Sequence, residues 1–477
     1  MNTTLITFVV LYLLGTLALG AWAGTRIKNT TDFAVAGRSL PLIMVVTTTF
    51  ATWFGAETVM GIPAKFVQGG LGSIVEDPFG AGTCLILVGM FFAARLYKLN
   101  LLTIGDFYRK RFGKGIEVFC SVAIIVSYLG WVAAQITALG LVFTVLTNGA
   151  MSETAGMIVG TLAVLVYVVI GGFLAVAWTD FIQMIVLVVG LTVIAVFSAD
   201  LAGGSDKVFE MASNQNLWAF LPPPTFTEVA MFIGAALTMM LGSIPQQDVF
   251  QRVMSAKNAP TARTGAIIGG ASYILFAAVP MFIVCCAVIV MGQSGLEMAK
   301  NDYQRLLPTF VLTKMPLVMQ ILFFGALLSA IKSTSSATLL APSTSFVENI
   351  LKNLRPGMND KQQLFAMRAS IVVFAATVLA YAIAMRGTSI YELVSTAYQV
   401  TLVAAFVPLV MGLYWQRATT QGAILSVAAG IGVWVMFFPQ LSSWGEVFPG
   451  QLAGLLAAFA GMIAGSLVPQ VLQDRQE

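Results

Sequence analysis

TTTFATWFGAETVMGIPAKF, residues 47–66, is apolar enough to lie in a membrane, yet Gly55, Gly61 and Pro63 interrupt it. Helix breakers in a spanning segment free backbone N–H and C=O groups, which lipid tolerates only where they line a cavity or find other partners. GAALTMMLGSIPQQDVF, residues 234–250, has the same character, with Gly242 and Pro245. Whether these are two broken spans depends on the chain around them. Hydrophobic residues make up 58% of its 477 residues and charged residues 10%, with a mean hydropathy of +0.88. Soluble domains run near 45–50% apolar and about 25% charged. The composition is that of an all-α polytopic membrane protein, and a lipid bilayer is its first partner.

Apolar blocks of about 20 residues, each able to cross ~30 Å of hydrocarbon, recur along the whole length. Thirteen are expected, at about 4–25, 41–66, 74–97, 119–147, 154–172, 178–200, 227–250, 264–291, 316–349, 369–386, 390–414, 419–437 and 450–470. The first lacks a basic leader and a cleavage site and reads as a retained helix. The two interrupted blocks are spans 2 and 7, five apart. Spans 2–6 and 7–11 then form a five-plus-five inverted repeat in which each broken span opens its half. Paired interrupted segments of this kind point to a transporter binding site. The residues 1–477 make one transmembrane unit: a leading helix 4–25, a first repeat 41–200, a second repeat 227–414 and trailing helices 419–470.

Charge sets the orientation. With the N-terminus outside, 18 of the 25 Lys and Arg, Arg252 and Arg475 among them, fall on inward segments, six on outward ones, and Lys332 inside a span. Positive charge marks the cytoplasmic side, so the expected arrangement is N-out, C-in, in the cell membrane. The net charge of +4 is no sign of nucleic-acid binding in such a chain. With no histidine, the usual zinc sites, Ser-His-Asp catalysis and histidine relays are excluded. Cys84, Cys120, Cys285 and Cys286 lie in or beside apolar blocks and read as packed free thiols. No Walker A loop or HExxH helix is present and no loop exceeds about 30 residues, which argues against an ATP-driven pump, an enzyme or a cofactor.

The motifs in these blocks have a recognisable order: AGRSL at 36–40, FATWFGAETVMGIP at 50–63, LLTIGDFYRKRFG at 101–113, GGFLAVAWTDFIQ at 171–183, IPQQDVFQRVMSAK at 244–257 and ALLSAIKSTSSATLL at 326–340. Over nearly its whole length the chain resembles the sodium/solute symporter family. The resemblance implies a LeuT-type fold, alternating access and ion-driven uptake of a small polar solute (an amine, amino acid or carboxylate), with Na+ as the default coupling ion. It is similar in part to the high-affinity choline transporter subgroup. Trp53 and Trp131 match two cation-binding aromatics of that subgroup, whereas Ala81 and Gln246 stand where it has two others.

By resemblance, the main sodium site falls on the carbonyls of Ala51, Phe54 and Ala330 and the hydroxyls of Ser333 and Thr334. The physics agrees: sodium takes oxygen ligands, an unwound segment offers carbonyls, and residues 330, 333 and 334 share one helix face. The competing reading has these hydroxyls bonding back to their own helix. A second site in some members maps to Asp180, Ser333, Thr334 and Ser336, with Ala337 where a further serine stands in those members. Asp180 also reads as a helix N-terminal acid.

Lys332 departs from the family, which is usually apolar there. Three readings stay open. It pairs with Asp180 and replaces a sodium ion; it carries a proton, making H+ the coupling ion; or it reaches a wet pathway with no specific role. Glu57 also departs from the pattern: it faces a cationic solute, pairs with Lys332, or lies on a wet wall. Glu76 and Asp77, before Pro78, read as interfacial acids, and Gln247 to Arg252 as the cytoplasmic end of span 7. Trp53, Glu57, Trp131, Ser243 and Gln246 are the expected solute-side residues. A transporter-like solute sensor is the further alternative, and a monomer suffices for either role.

Overall fold

The computed structural model describes residues 3–438 and 441–471, the side chain of Ala23 excepted; Arg475 lies outside them. Among the described residues the chain is helical, and the one isolated β-bridge joins Leu40 to Ala256. Among the described residues nine helices are long and apolar enough to cross a membrane, and two bent pairs bring the number to eleven. The bent pairs are the two segments that the breakers mark. Span 2 runs Leu42–Trp53 and Glu57–Gly69 with a bend of 57°, and span 7 runs Phe226–Gly242 and Gln247–Ser255 with a bend of 44°.

Glu153–Ala202 is a run of 50 helical residues with non-helical geometry at Gly172 (φ 50°, ψ −157°). On a straight helix Tyr167 and Thr179 would stand about 18 Å apart at ~1.5 Å per residue, yet their hydroxyls are hydrogen-bonded to each other. The chain therefore turns back on itself at Gly172, and the two arms cover the sequence blocks at 154–172 and 178–200. Only glycine suits that turn: its φ is positive, and a Cβ would come within 2.9 Å of the Phe33 carbonyl oxygen. Span 12, Thr420–Met436, is a shorter apolar helix.

Other boundaries move outward, because helices continue past the apolar core where caps and packing hold them. Span 4 is Lys114–Leu146, span 8 Ala259–Met291, span 9 Leu317–Leu354 and span 10 Asp360–Ala384. Asn359 caps span 10 through a reciprocal capping box with Gln362, which satisfies two orphan donors. The long loops contain helices of their own, Ser205–Asn214, Gln293–Asn301 and Tyr303–Lys314. Span 9 packs on the Glu153–Ala202 hairpin and on span 4, while span 8 packs on the first half of span 2. This brings both breaks, the hairpin and the Ser333 region into one buried centre.

Two expectations are corrected. Glu76 and Asp77 are not interfacial: they are 5% and 2% exposed. Ser395 donates to Glu76 at 2.7 Å, and Tyr273 donates to Asp77 at 2.6 Å. Gln247 to Arg252 falls in the last helix of span 7, which runs on to Ser255. It belongs to the buried helix Gln247–Ser255, and Arg252 donates to the Asp248 carbonyl at 2.9 Å and to the Thr52 hydroxyl. Those oxygens hold its two terminal nitrogens, while its Nε is buried without a partner. Asp180 is not a helix-terminal acid, since it lies eight residues, about two turns, past the turn at Gly172 and is fully buried.

Candidate functional site

The break in span 2 is built by its own chemistry. The first half ends when Phe54 leaves helical geometry (φ −88°, ψ 72°). The freed groups find side-chain partners from other elements. The Ala56 N–H donates to Gln135 Oε1 at 2.9 Å, and the Thr58 hydroxyl donates to the Trp53 carbonyl at 3.1 Å. A Cβ at Gly55 would come within 2.6 Å of both Glu57 Oε2 and Thr334 Oγ1 and 2.9 Å of Gln135 Oε1, so a larger residue there would have to displace these side chains. The bare backbone thus lies in a ring of oxygens.

One oxygen cluster joins span 2, span 9 and the hairpin. The Ser333 hydroxyl stands 3.0 Å from the Ala51 carbonyl and 2.5 Å from Asp180 Oδ1, able to donate to either. The Thr48 hydroxyl donates to Asp180 Oδ2 at 2.5 Å. Thr334 Oγ1 is buried with no hydrogen-bond partner. Ala51, Phe54 and Ala330 are all fully buried. Of the residues expected here, Ala51, Ser333 and Asp180 meet directly, and Thr334 faces the break through Gly55. Ser336 does not join them: its hydroxyl donates to the Ser333 carbonyl of its own helix at 2.8 Å. Thr48 was not foreseen, since it lies 132 residues from Asp180 in sequence.

Lys332 stands to one side of this cluster. Its Nζ is buried without a hydrogen-bond partner and lies 3.9 Å above the Tyr167 ring, a cation–π arrangement. Among the described residues the ion pairs within 4.0 Å include neither Lys332–Asp180 nor Lys332–Glu57. The Tyr167 hydroxyl in turn bonds Thr179, the neighbour of Asp180.

A second cluster lies across the break. Glu57, 2% exposed, accepts from Trp131 Nε1 at 2.9 Å and from Gln135 Nε2 at 2.6 Å. Both donors are neutral, so the two bonds hold the carboxylate without balancing its charge. The Trp53 and Trp131 rings are 5.8 Å apart. Tyr398 lies 6.2 Å from the first and 5.5 Å from the second, and Tyr273 is 6.5 Å from Trp53. Tyr273 and Tyr398 thus supply aromatic walls that the sequence motifs do not mark. Trp53 Nε1 donates to Asp248 Oδ2 at 3.1 Å, and the Tyr128 hydroxyl donates to Asp248 Oδ1 at 2.5 Å, joining the two broken spans. Ser243 and Gln246, at the break of span 7, are buried. Gln246 donates to Ser127 at 2.9 Å and to Thr401 at 3.4 Å, while Gln246 Oε1 and the Ser243 hydroxyl are unpartnered.

Comparison with known proteins agrees with this architecture. The chain is 27% identical to the human high affinity choline transporter 1 over 449 residues, covering 90% of this chain and 75% of the relative. It is 27% identical to the high-affinity proline transporter PutP of Bacillus subtilis, covering 96% and 98%. A solved structure of a Na+-coupled sialic acid symporter, in a substrate-bound outward-open state, superposes with a TM-score of 0.83 at 20% identity, covering 97% of each chain. The fold is therefore LeuT-like, and the relatives are multi-pass membrane transporters, not enzymes. The sodium:solute symporter family pattern matches residues 33–430, and the chain belongs to that family.

Proposed function

We propose that the protein is a secondary active importer of a small organic amine cation, coupled to sodium and working by alternating access. The observation that carries the coupling is the Ser333 hydroxyl, which bridges the Ala51 carbonyl of the broken span and the Asp180 carboxylate. Asp180 is buried and, among the described residues, has no cation within 4.0 Å. A buried carboxylate calls for a counter-charge, and a sodium ion held by Ala51, Phe54, Ala330, Ser333 and Thr334 supplies it. The choline relatives, the Trp53, Trp131 and Tyr398 rings and the uncompensated Glu57 carboxylate support a cationic solute, because aromatic faces and an anion favour the same charge. Ser243 and Gln246 complete the solute side from span 7.

In this reading the two arms about Gly172 and the short span 12 count as spans, which gives thirteen in the N-out, C-in arrangement. Spans 2–6 and 7–11 are the inverted repeats, and one copy of the chain is the working unit.

A second reading has H+ as the coupling ion, and the unpartnered Lys332 Nζ above Tyr167 favours it. One experiment separates the two: the melting temperature of purified protein against NaCl, with KCl holding ionic strength. A ligand that binds only the folded state stabilises it by RT ln(1 + [L]/Kd). Sodium-specific stabilisation is expected; none in wild type, with stabilisation appearing in Lys332→Ala, assigns the ion's place to the lysine, and none in either protein favours H+. Uptake of radiolabelled choline into proteoliposomes under a sodium gradient, with binding but no accumulation as the contrary result, separates a transporter from a solute sensor.

A further inference from the structure

A large cavity lies remote from the site above. It is a groove of about 810 Å³ between spans 4, 9 and 10. Ile125, Pro342 and Phe346 form one wall, and Phe365, Val373 and Phe374 the other. Phe365 is 73% and Val373 65% exposed, so the groove opens sideways from the helix bundle, where lipid lies. From Phe365 to Thr377 the wall is one face of span 10, about 18 Å long at ~1.5 Å per residue, close to the ~15 Å depth of one leaflet's hydrocarbon.

The mouth of the groove differs in character. Arg355 and Lys361 line it. Neither has an ion-pair partner among the described residues. The other two cations of this connection are engaged: Lys352 pairs with Glu348 at 2.7 Å, and Arg368 lies over the Phe33 ring. The neighbouring acid, Asp360, accepts at Oδ1 from the Thr30 backbone N–H and hydroxyl, and among the described residues it makes no ion pair within 4.0 Å with either cation. An apolar trough one leaflet deep, closed at its polar end by two free cations, has the charge and shape complement of one molecule type.

We propose that this groove is a binding site for an anionic phospholipid, its acyl chain along span 10 and its phosphate between Arg355 and Lys361. Cations at this level of a membrane protein attract acidic headgroups. The occupant touches Pro342 and Phe346 of span 9, the helix that carries Ser333 nine residues from Pro342 toward the centre, so the lipid braces the element that bears the oxygen cluster.

The test compares phosphatidylglycerol with phosphatidylcholine of identical acyl chains. Purified protein is loaded in mixed micelles and washed, and bound lipid per protein is measured by mass spectrometry. Wild type is expected to retain phosphatidylglycerol at least about tenfold over phosphatidylcholine. Arg355→Ala with Lys361→Ala should bring that ratio near one. Ala369→Trp, which fills the trough, should reduce retention of both lipids with the elution profile unchanged. The Ala369→Trp arm keeps the proposal testable if the double variant does not fold. A wild-type ratio near one overturns it, as does a ratio that survives the double variant. So do displacement of the lipid by inorganic phosphate at equal concentration, and a stable dimer that covers the groove.

Discussion

Ser333→Ala is the sharpest perturbation of the proposed ion site. In the structure its hydroxyl reaches Ala51 O at 3.0 Å and Asp180 Oδ1 at 2.5 Å, so the change removes a ligand oxygen and one donor to a buried carboxylate. A hydrogen bond to a charged group contributes about 1.5–3 kcal/mol, which corresponds to roughly a 10- to 150-fold loss of sodium affinity at ~1.4 kcal/mol per tenfold. At a sodium concentration of about 100 Kd for wild type, stabilisation of ~2.7 kcal/mol should fall to between ~1.4 and ~0.3 kcal/mol. The readout is melting temperature against NaCl with KCl as the ionic-strength control, alongside sodium-dependent uptake. Ser335→Ala is the matched control: that hydroxyl lies on the same helix but donates to the Ile331 carbonyl at 2.6 Å, and its sodium dependence should stay within about threefold of wild type. Equal sodium curves for wild type and Ser333→Ala, or equal losses in the two variants, would refute the assignment.

Further expectations follow from the same contacts. Lys332→Met replaces an unpartnered buried ammonium with an apolar chain of similar size; the variant should melt higher in KCl and bind sodium about fivefold tighter, as loss of ~1 kcal/mol of like-charge repulsion predicts. A titration showing weaker sodium binding would contradict this. Glu57→Gln should reduce saturable choline binding about tenfold or more while moving the sodium midpoint less than about threefold, measured by calorimetry and by thermal shift. Gly172→Ala places a Cβ 2.9 Å from the Phe33 carbonyl oxygen at a positive φ; strain of about 1–3 kcal/mol plus the clash should sharply cut the yield of monodisperse protein, and a normal elution profile would count against the turn described.

Much of the fold is legible in sequence because lipid is a strict solvent. It demands long apolar runs, and it makes breakers costly enough that Gly55, Pro63, Gly242 and Pro245 stand out. Asp180 and Ser333 are legible through the motifs around them. Thr48, Gln135, Tyr273 and Tyr398 are not, because each reaches its partner across the bundle and no local spacing records that. Asp77 misleads for a related reason: an acid beside a breaker looks like a helix end until the hydroxyl that bonds it is seen on another helix. Lys332 was legible as an anomaly, but its ring partner Tyr167 was not.

The two broken spans are fastened to each other on one side of their breaks. Arg252 of span 7 reaches Thr52 of span 2, Trp53 of span 2 reaches Asp248 of span 7, and backbone bonds link Leu40 to Ser255 and to Lys257. Each such bond contributes only about 0.5–3 kcal/mol, and none is covalent or a close ion pair. In the proposed transport cycle this fastening is expected to act as a release catch. Loosening one tooth, as in Thr52→Val, is expected to change the transport rate more than the sodium midpoint. Turnover in that cycle then depends on a few hydrogen bonds, one of them to a carboxylate, and one arginine, on the microsecond-to-millisecond scale of collective helix motions.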